Sequence, residues 1–232
     1  MIKKPLIVLS ILLSSISIYA QRKIDSTHRK KVIHLVSLQS NALLKQIFNF
    51  GNSNIPSSNP YLLNYSLMHV KSKWGFDFGS GYTRSSFFEN DGNNKTEKYI
   101  NDIFLRLGPQ KTMRFSKNAF VSIALHGVFE KLYNKTNTET NFSSQVSIVD
   151  TKTSTMKYGG GPTLGIRYRL SPRIFVGTEA SYYFKLGKND SWFKSTTIFN
   201  GQVFDSVTTT SKNDFSDLSL NLPTVLYLTL RF

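Results

Sequence analysis

The chain has 232 residues, with 29 Lys and Arg against 14 Asp and Glu for a formal charge of +15, 40% hydrophobic and 13% aromatic residues, and no cysteine. That length supplies one domain with a sizeable core, and the missing cysteine excludes disulfide scaffolds, thiolate metal sites, cysteine nucleophiles and a lipid anchor on an N-terminal cysteine. A mean hydropathy of −0.23 excludes a multi-helix membrane protein but not a membrane β-barrel, whose strands alternate apolar and polar residues and average near zero.

Taken from the start, Lys3 and Lys4 precede an apolar run from Leu6 to Ile18 interrupted only by serines, and Tyr19-Ala20 closes it with a small residue. This basic, apolar, small order predicts a secretory signal peptide over 1–20, cleaved after Ala20. The isoelectric point near 9.9 raises nucleic acid as a partner, but an exported chain argues against one. A basic segment, 21–31, follows.

From residue 32 to 232 the chain reads as period-2 alternation rich in Val, Ile, Tyr, Phe and Thr, bounded by Asn, Gly, Ser, Asp and Pro clusters. Eight strands are predicted, over 32–44, 61–70, 74–84, 99–110, 119–131, 157–170, 174–186 and 217–232, the first being as readable as a helix. Tight turns are expected at 71–73, 113–118 and 171–173, and long polar loops at 48–60, 85–98, 132–156 and 187–216. In an up-and-down order every short turn falls at one end and every long loop at the other. That sorting predicts an all-β, eight-stranded antiparallel transmembrane barrel in the outer membrane, with short periplasmic turns and long extracellular loops.

Residue types distinguish the two faces. Trp74, Phe76, Phe78 and Tyr82 alternate with Gly75, Asp77, Gly79 and Gly81, and Leu164, Ile166 and Tyr168 alternate with Thr163, Gly165, Arg167 and Arg169. None of these apolar-face residues is charged, as a lipid-facing surface requires when a mid-bilayer Lys or Arg costs ~2–4 kcal/mol. A soluble barrel reverses this, and would have to fit rows of Leu and aromatics into a narrow lumen. Pro162 and Pro223 fall inside predicted strands, where each marks an irregularity.

The segments Asp102-Ile103-Phe104-Leu105-Arg106-Leu107-Gly108-Pro109 and Gly160-Gly161-Pro162-Thr163-Leu164-Gly165-Ile166-Arg167-Tyr168, with the closing strand, resemble the Bacteroidetes-type outer membrane protein beta-barrel domain family, which includes PorT-like barrels. The resemblance covers essentially the whole mature chain and implies a fold more than an activity. It also implies that the last strand, through Leu226, Leu228, Leu230 and Phe232, is the signal read by the barrel-assembly machinery. Leu230 departs from the aromatic often found near that end.

The inward face gathers the charges Asp77, Asp102, Arg106, His126, Glu130, Arg167, Arg169, Glu179, Lys185 and Arg231. Buried charges must be paired, so these are expected to form a salt-bridge network that plugs the lumen, a gated pore or proton path being the alternative. Hairpin geometry is expected to set Arg167 near Glu179, and Asp102 or Phe104 near His126. No nucleophile stands beside a base, so no catalytic residue and no enzyme is expected; a lipid A-modifying enzyme and a PorT-like accessory of a secretion system are the rival roles. Neither cofactor nor metal is expected, since acidic calcium-loop spacing is absent and the four His are scattered. The expected partners are membrane lipid and lipopolysaccharide facing the loop lysines Lys95, Lys98, Lys131, Lys135, Lys152, Lys188, Lys194 and Lys212. A further protein partner is expected through Trp192, Phe193, Phe199 and Phe204 in the last loop.

Overall fold

The computed structural model describes residues 31–39, 61–142, 145–221 and 226–232. The expected leader, all of the basic segment before Lys31, the end of the first strand, the loop at 48–60 and Pro223 lie outside these residues.

Nine antiparallel strands are present: β1 (Val32–Gln39), β2 (Tyr61–His69), β3 (Trp74–Asn90), β4 (Asn94–Arg114), β5 (Ala119–Phe142), β6 (Gln145–Arg169), β7 (Ile174–Phe199), β8 (Gln202–Asn221) and β9 (Leu226–Arg231). Each of β1 to β7 pairs with the next, β7 also pairs with both β8 and β9, and β9 pairs with β1. The ring therefore closes with eight staves, the eighth built from β8 and β9 in succession. Closure leaves no free backbone edge within the ring.

The expected eighth strand, 217–232, is thus two strands with a change of register between them. Ser181 of β7 faces Asn221 of β8, whereas Thr178 faces Leu226 of β9. Three residues of β7 are matched by five of the other strand. At Pro162 the outcome differs. The β6–β7 ladder lapses after Gly160↔Phe184 and resumes at Thr163↔Ser181 in the same register. A second lapse, between Leu107↔Gly127 and Gln110↔Ala124 in β4–β5, spans Pro109. Proline supplies no N–H, so in both places the ladder loses its bonds without slipping.

The larger correction concerns the long loops. Residues 85–98, 132–156 and 187–216 are mostly strand: β3 and β4 meet at a turn over 91–93, β5 runs to Phe142, and β7 and β8 meet at Asn200-Gly201. Strands β3 to β8 thereby continue past the ring as one six-stranded sheet. These segments have few apolar residues, but Thr is β-branched and suits a pleated surface solvated on both sides. The backbone ladder satisfies their amides and carbonyls without a core. Asn200 and Gly201 both take positive φ, 48° and 79°, which is the two-residue turn that matches strand twist. In the β3–β4 turn, Asp91 accepts bonds from the Asn94 side chain and from the backbone N–H of Asn93 and Asn94. The Asn94 side-chain bond leads in holding the Asp91 carboxyl below the ordinary carboxylate range.

Burial is inverted relative to a water-soluble protein. Ser66, Asp77, Arg106, Gln110, His126, Ser181 and Thr229 are buried, while Phe76, Leu107, Leu125, Leu164 and Leu220 lie outside and exposed. The only cluster of buried apolar side chains among the described residues is Ile33, Leu35 and Met68, packed with Val70 at the turn end. Opposite them Phe120 meets Phe175 edge to face at 5.7 Å.

Close packing of the staves gives one test. A Cβ on Gly108 would overlap the carbonyl oxygen of Leu125, which cannot move aside, whereas one on Gly127 meets nothing nearer than 3.8 Å. Gly108→Ala is expected to destabilise the fold by about 1–3 kcal/mol and Gly127→Ala to leave it nearly unchanged, read as unfolding midpoints in detergent.

Candidate functional site: the charged lumen

Strands β1 to β9 bring their inward side chains into a column with three levels. The apolar plug of Ile33, Leu35, Met68, Phe120 and Phe175 forms the lowest. Above it Arg106 of β4 reaches across the lumen to Glu179 of β7, with Nη1 to Oε1 at 2.5 Å and Nη2 to Oε2 at 2.9 Å. The same carboxylate accepts the Tyr227 hydroxyl at 2.9 Å. Arg106 Nη2 lies 3.5 Å from Asp77 Oδ2, and His126 Nε2 lies 3.2 Å from that oxygen. Ser66 donates to the other Asp77 oxygen. His126 Nδ1 bonds Thr163 at 2.9 Å, and Thr163 bonds the Tyr183 hydroxyl at 3.0 Å.

Room for this crossing comes from small residues. A Cβ on Gly79 would press on the Arg106 side chain, 2.7 Å from Nε. Gly79 therefore makes room for the guanidinium, whereas a Cβ on Gly75 would meet the Leu67 carbonyl of the neighbouring strand. Beside the Arg106–Glu179 pair is a cavity of about 20 Å³, lined by Asn64, Gln110, His126, Arg167 and Tyr227 among others. That volume holds about one water. Asn64 Oδ1, Gln110 Nε2 and Arg167 Nη1 have no hydrogen-bond partner among the described residues, and such a water would meet them.

The third level holds a separate cluster. Lys185 Nζ donates to Glu130 Oε2 at 2.8 Å, and Lys157 Nζ lies 3.0 Å from Asp217 Oδ2 and 3.8 Å from Glu130 Oε1. Phe104 and Phe215 stack under Lys185 and Lys157 at 6.0 and 5.8 Å. Asp102 is buried in the same field of Glu130, Lys157 and Lys185.

Of the expected network, Asp77, Arg106, His126 and Glu179 are brought together in the middle, and Asp102, Glu130 and Lys185 above them. Arg167 and Glu179 line the same cavity as diagonal neighbours, while the hydrogen bonds to Glu179 come from Arg106 across the lumen and from Tyr227. Three expectations are corrected. The β4–β5 register sets Phe104 against Glu130 and Asp102 against Leu132, so neither meets His126, whose neighbour on β4 is Gly108. Arg169 leaves the lumen to bond the Lys117 carbonyl and the Asn118 side chain, at 3.1 and 3.0 Å, fastening the β4–β5 turn. Arg231 faces Leu35 at the turn end and joins no ion pair among the described residues.

Lys157 and Asp217 are lumen charges missing from the expected set, although each has the inward parity of its strand, in step with Gly159 and Ser219; both stand at the first residue of a predicted strand, where a strand and a loop are hardest to tell apart. The four aromatics of the last expected loop do not share a surface. Trp192 points outward beneath Lys152, 4.5 Å from its Nζ, while Phe193, its chain neighbour, points to the other face, Phe199 sits at the hairpin tip and Phe204 is 81% exposed by the β-bulge. Leu226 and Leu228 are exposed on the outer face of β9, with Phe232 following exposed just beyond its end. Among the described residues no three His, Asp or Glu are grouped to hold a metal ion.

No protein-family model matches the chain, and no curated protein does. Among solved structures, a major outer membrane protein from Thermus thermophilus aligns over 88% of this chain and 100% of its own, at 11% identity and a TM-score of 0.40. CarO from Acinetobacter baumannii aligns over 86% and 94%, at 7% identity and a TM-score of 0.33. LpxR from Salmonella typhimurium aligns over 87% and 99%, at 8% identity and a TM-score of 0.25. These likenesses are distant.

Breaking a buried pair from one side strands its partner, at a cost of about 3–5 kcal/mol. Glu179→Ala is therefore expected to lower stability by roughly that amount, since it leaves Arg106 only its 3.5 Å contact with Asp77 and takes the acceptor from Tyr227, while Asp205→Ala on the exposed sheet changes it by less than about 0.5 kcal/mol. The double variant Arg106→Met with Glu179→Met should recover much of the loss, because two apolar side chains of similar length need no partner. A double-mutant cycle of detergent unfolding midpoints checks all three.

Proposed function

We propose that the protein is an integral outer-membrane barrel, exported with removal of residues 1–20, whose role is structural or surface-interacting rather than catalytic. The observation that carries this is the inverted burial. Outward residues from Ala119 to Phe129 of β5 carry no charge, and at about 2.5 Å of height per tilted residue that stretch is about 25 Å tall, the height of the apolar band of such barrels. On the outer face toward the turn end, Lys111, in register with Ile123, lies over Trp74 at 5.3 Å, and Tyr158 and Phe184 stand near the upper limit of the band, in keeping with aromatic girdles at two interfaces.

The filled lumen supports a plug rather than a channel: an apolar lower level, cross-barrel ion pairs in the middle, and a second ion-pair cluster above. The six-stranded sheet beyond the ring is the part that would meet the exterior, and a protein partner there remains part of the proposal. The resemblance to PorT-like barrels adds a finer reading, an accessory of a secretion system, which a pull-down from outer membranes tests. The last strand's assembly role belongs to the same resemblance.

Heat-modifiable gel migration with membrane fractionation tests the main reading. The protein should float with the outer membrane and migrate faster unboiled than boiled; a soluble periplasmic chain whose migration ignores boiling would refute it. In planar bilayers the folded protein should give no steady ion conductance, and steady single-channel steps would remove the plugged lumen.

A further inference from the structure

The register rows of the outer sheet sort charge by height. On its convex face, β5 presents Lys131, Tyr133 and Lys135 in succession, and Lys135 lies directly opposite Lys152 of β6. Tyr99 of β4 continues the same row on one side and Trp192 of β7 on the other. Like charges directly opposed on one face of an antiparallel pair are destabilising. Among the described residues Lys131, Lys135 and Lys152 join no ion pair; Lys152 Nζ lies 4.5 Å over the Trp192 ring and the Tyr99 hydroxyl donates to Glu97 at 3.4 Å, so the two aromatics are held in place beside the lysines. Lys188 and Lys212 differ, since each faces an acid in register, Asp214 and Asp190. Glu97 and Asp150 stand in the next row up, Glu139 in the row above that, and Asp190, facing Lys212, in the row below. The concave face of the same strands is largely uncharged, with Thr136, Thr138, Thr151 and Thr153 along β5 and β6.

An opposed lysine pair flanked by two aromatics is a costly arrangement for an empty surface and a suitable one for an anion carried on a sugar. Lysines supply the charge, and aromatic faces pack against the C–H groups of a saccharide ring. Height selects the source. Lys131 lies two residues beyond Phe129, about 5 Å up, level with lipid headgroups. Lys135 and Lys152 lie six residues beyond Phe129 and Tyr158, about 15 Å up, beyond the reach of an ordinary phospholipid phosphate.

We propose that Tyr99, Lys135, Lys152 and Trp192, with Lys131 and Tyr133 below, form a docking face for the phosphorylated saccharide of lipopolysaccharide in the same leaflet. This rests on the reading of the protein as an outer-membrane barrel. The opposed lysines hold a sugar phosphate between them, Trp192 and Tyr99 bracket the rings, and Lys131 meets the anionic group at the lipid end.

The test uses the full mature chain in detergent micelles doped with purified lipopolysaccharide carrying core phosphates, with the same material after dephosphorylation, or with phosphatidylglycerol. The wild type is expected to bind the phosphorylated form at least tenfold more tightly than the dephosphorylated one. The double variant Lys135→Thr with Lys152→Thr should lose that preference while retaining heat-modifiable migration and wild-type binding to phosphatidylglycerol. Its unfolding midpoint without glycolipid should stay close to that of the wild type, because the Lys–Lys repulsion and the Lys152–Trp192 contact are lost together; a clearly lower midpoint would assign the lysines a structural role and overturn the proposal. So would a wild type indifferent to core phosphates, or a double variant that still prefers them. A chain that does not float with the outer membrane or migrate heat-modifiably overturns the barrel reading itself, whereas a folded barrel that ignores phosphate overturns this proposal alone.

Discussion

The structure depends on one constraint, that charges enclosed by eight staves must neutralise one another across the ring. Arg106 is buried, so it spans the lumen to Glu179 with two parallel bonds and shares its reach with Asp77. The other features follow from making that crossing possible. Gly79 keeps the β3 wall thin where Arg106 passes, Tyr227 and Ser66 occupy remaining carboxylate oxygens, and a water-sized cavity sits where the fit is incomplete. The apolar side chains that would fill a soluble core are left to the outside, apart from a short plug at the turn end.

The ring and the sheet above it obey different rules. Within the ring, alternation separates an outward face rich in large apolar side chains from a packed polar column. Above it both faces meet solvent, so nothing enforces apolar alternation, and backbone pairing with Thr-rich faces is enough to continue the strands. Such an extension is stable only because the ring fixes the register of its base. Its two outermost strands, β3 and β8, carry charges such as Arg84, Asp205 and Lys212, which discourage edge-to-edge pairing.

Much of the ring was legible in the sequence, because lipid-side purity is a strong signal: Trp74 to Tyr82, Ile103 to Leu107 and the row of leucines in β9 all face as alternation demands. The inward charge set was legible for the same reason. Which charges meet was not. Alternation fixes a face but not an opposite stave, so Glu179 could be paired only with a near neighbour on its own wall, Arg167, and not with Arg106, 73 residues away. Composition also misled above the ring, where Thr, Ser, Asn and Lys read as loop. The dipeptide Asn200-Gly201 between β-branched segments was the available hairpin signal, and Asp91-Gly92 was its weaker counterpart.

The offset between β8 and β9 sets a rule of parity for this seam. Five residues on one side match three on β7, and because the excess is two, Ser219 and Tyr227 both still face inward. A change of chain length between Asn221 and Leu226 by one residue would turn β9 over, sending Tyr227 and Thr229 outward and the leucines toward Glu179. A change by two would not. Length variation here should therefore be tolerated only in even steps, and the closing strand keeps time with the charged lumen through a count rather than through any one side chain.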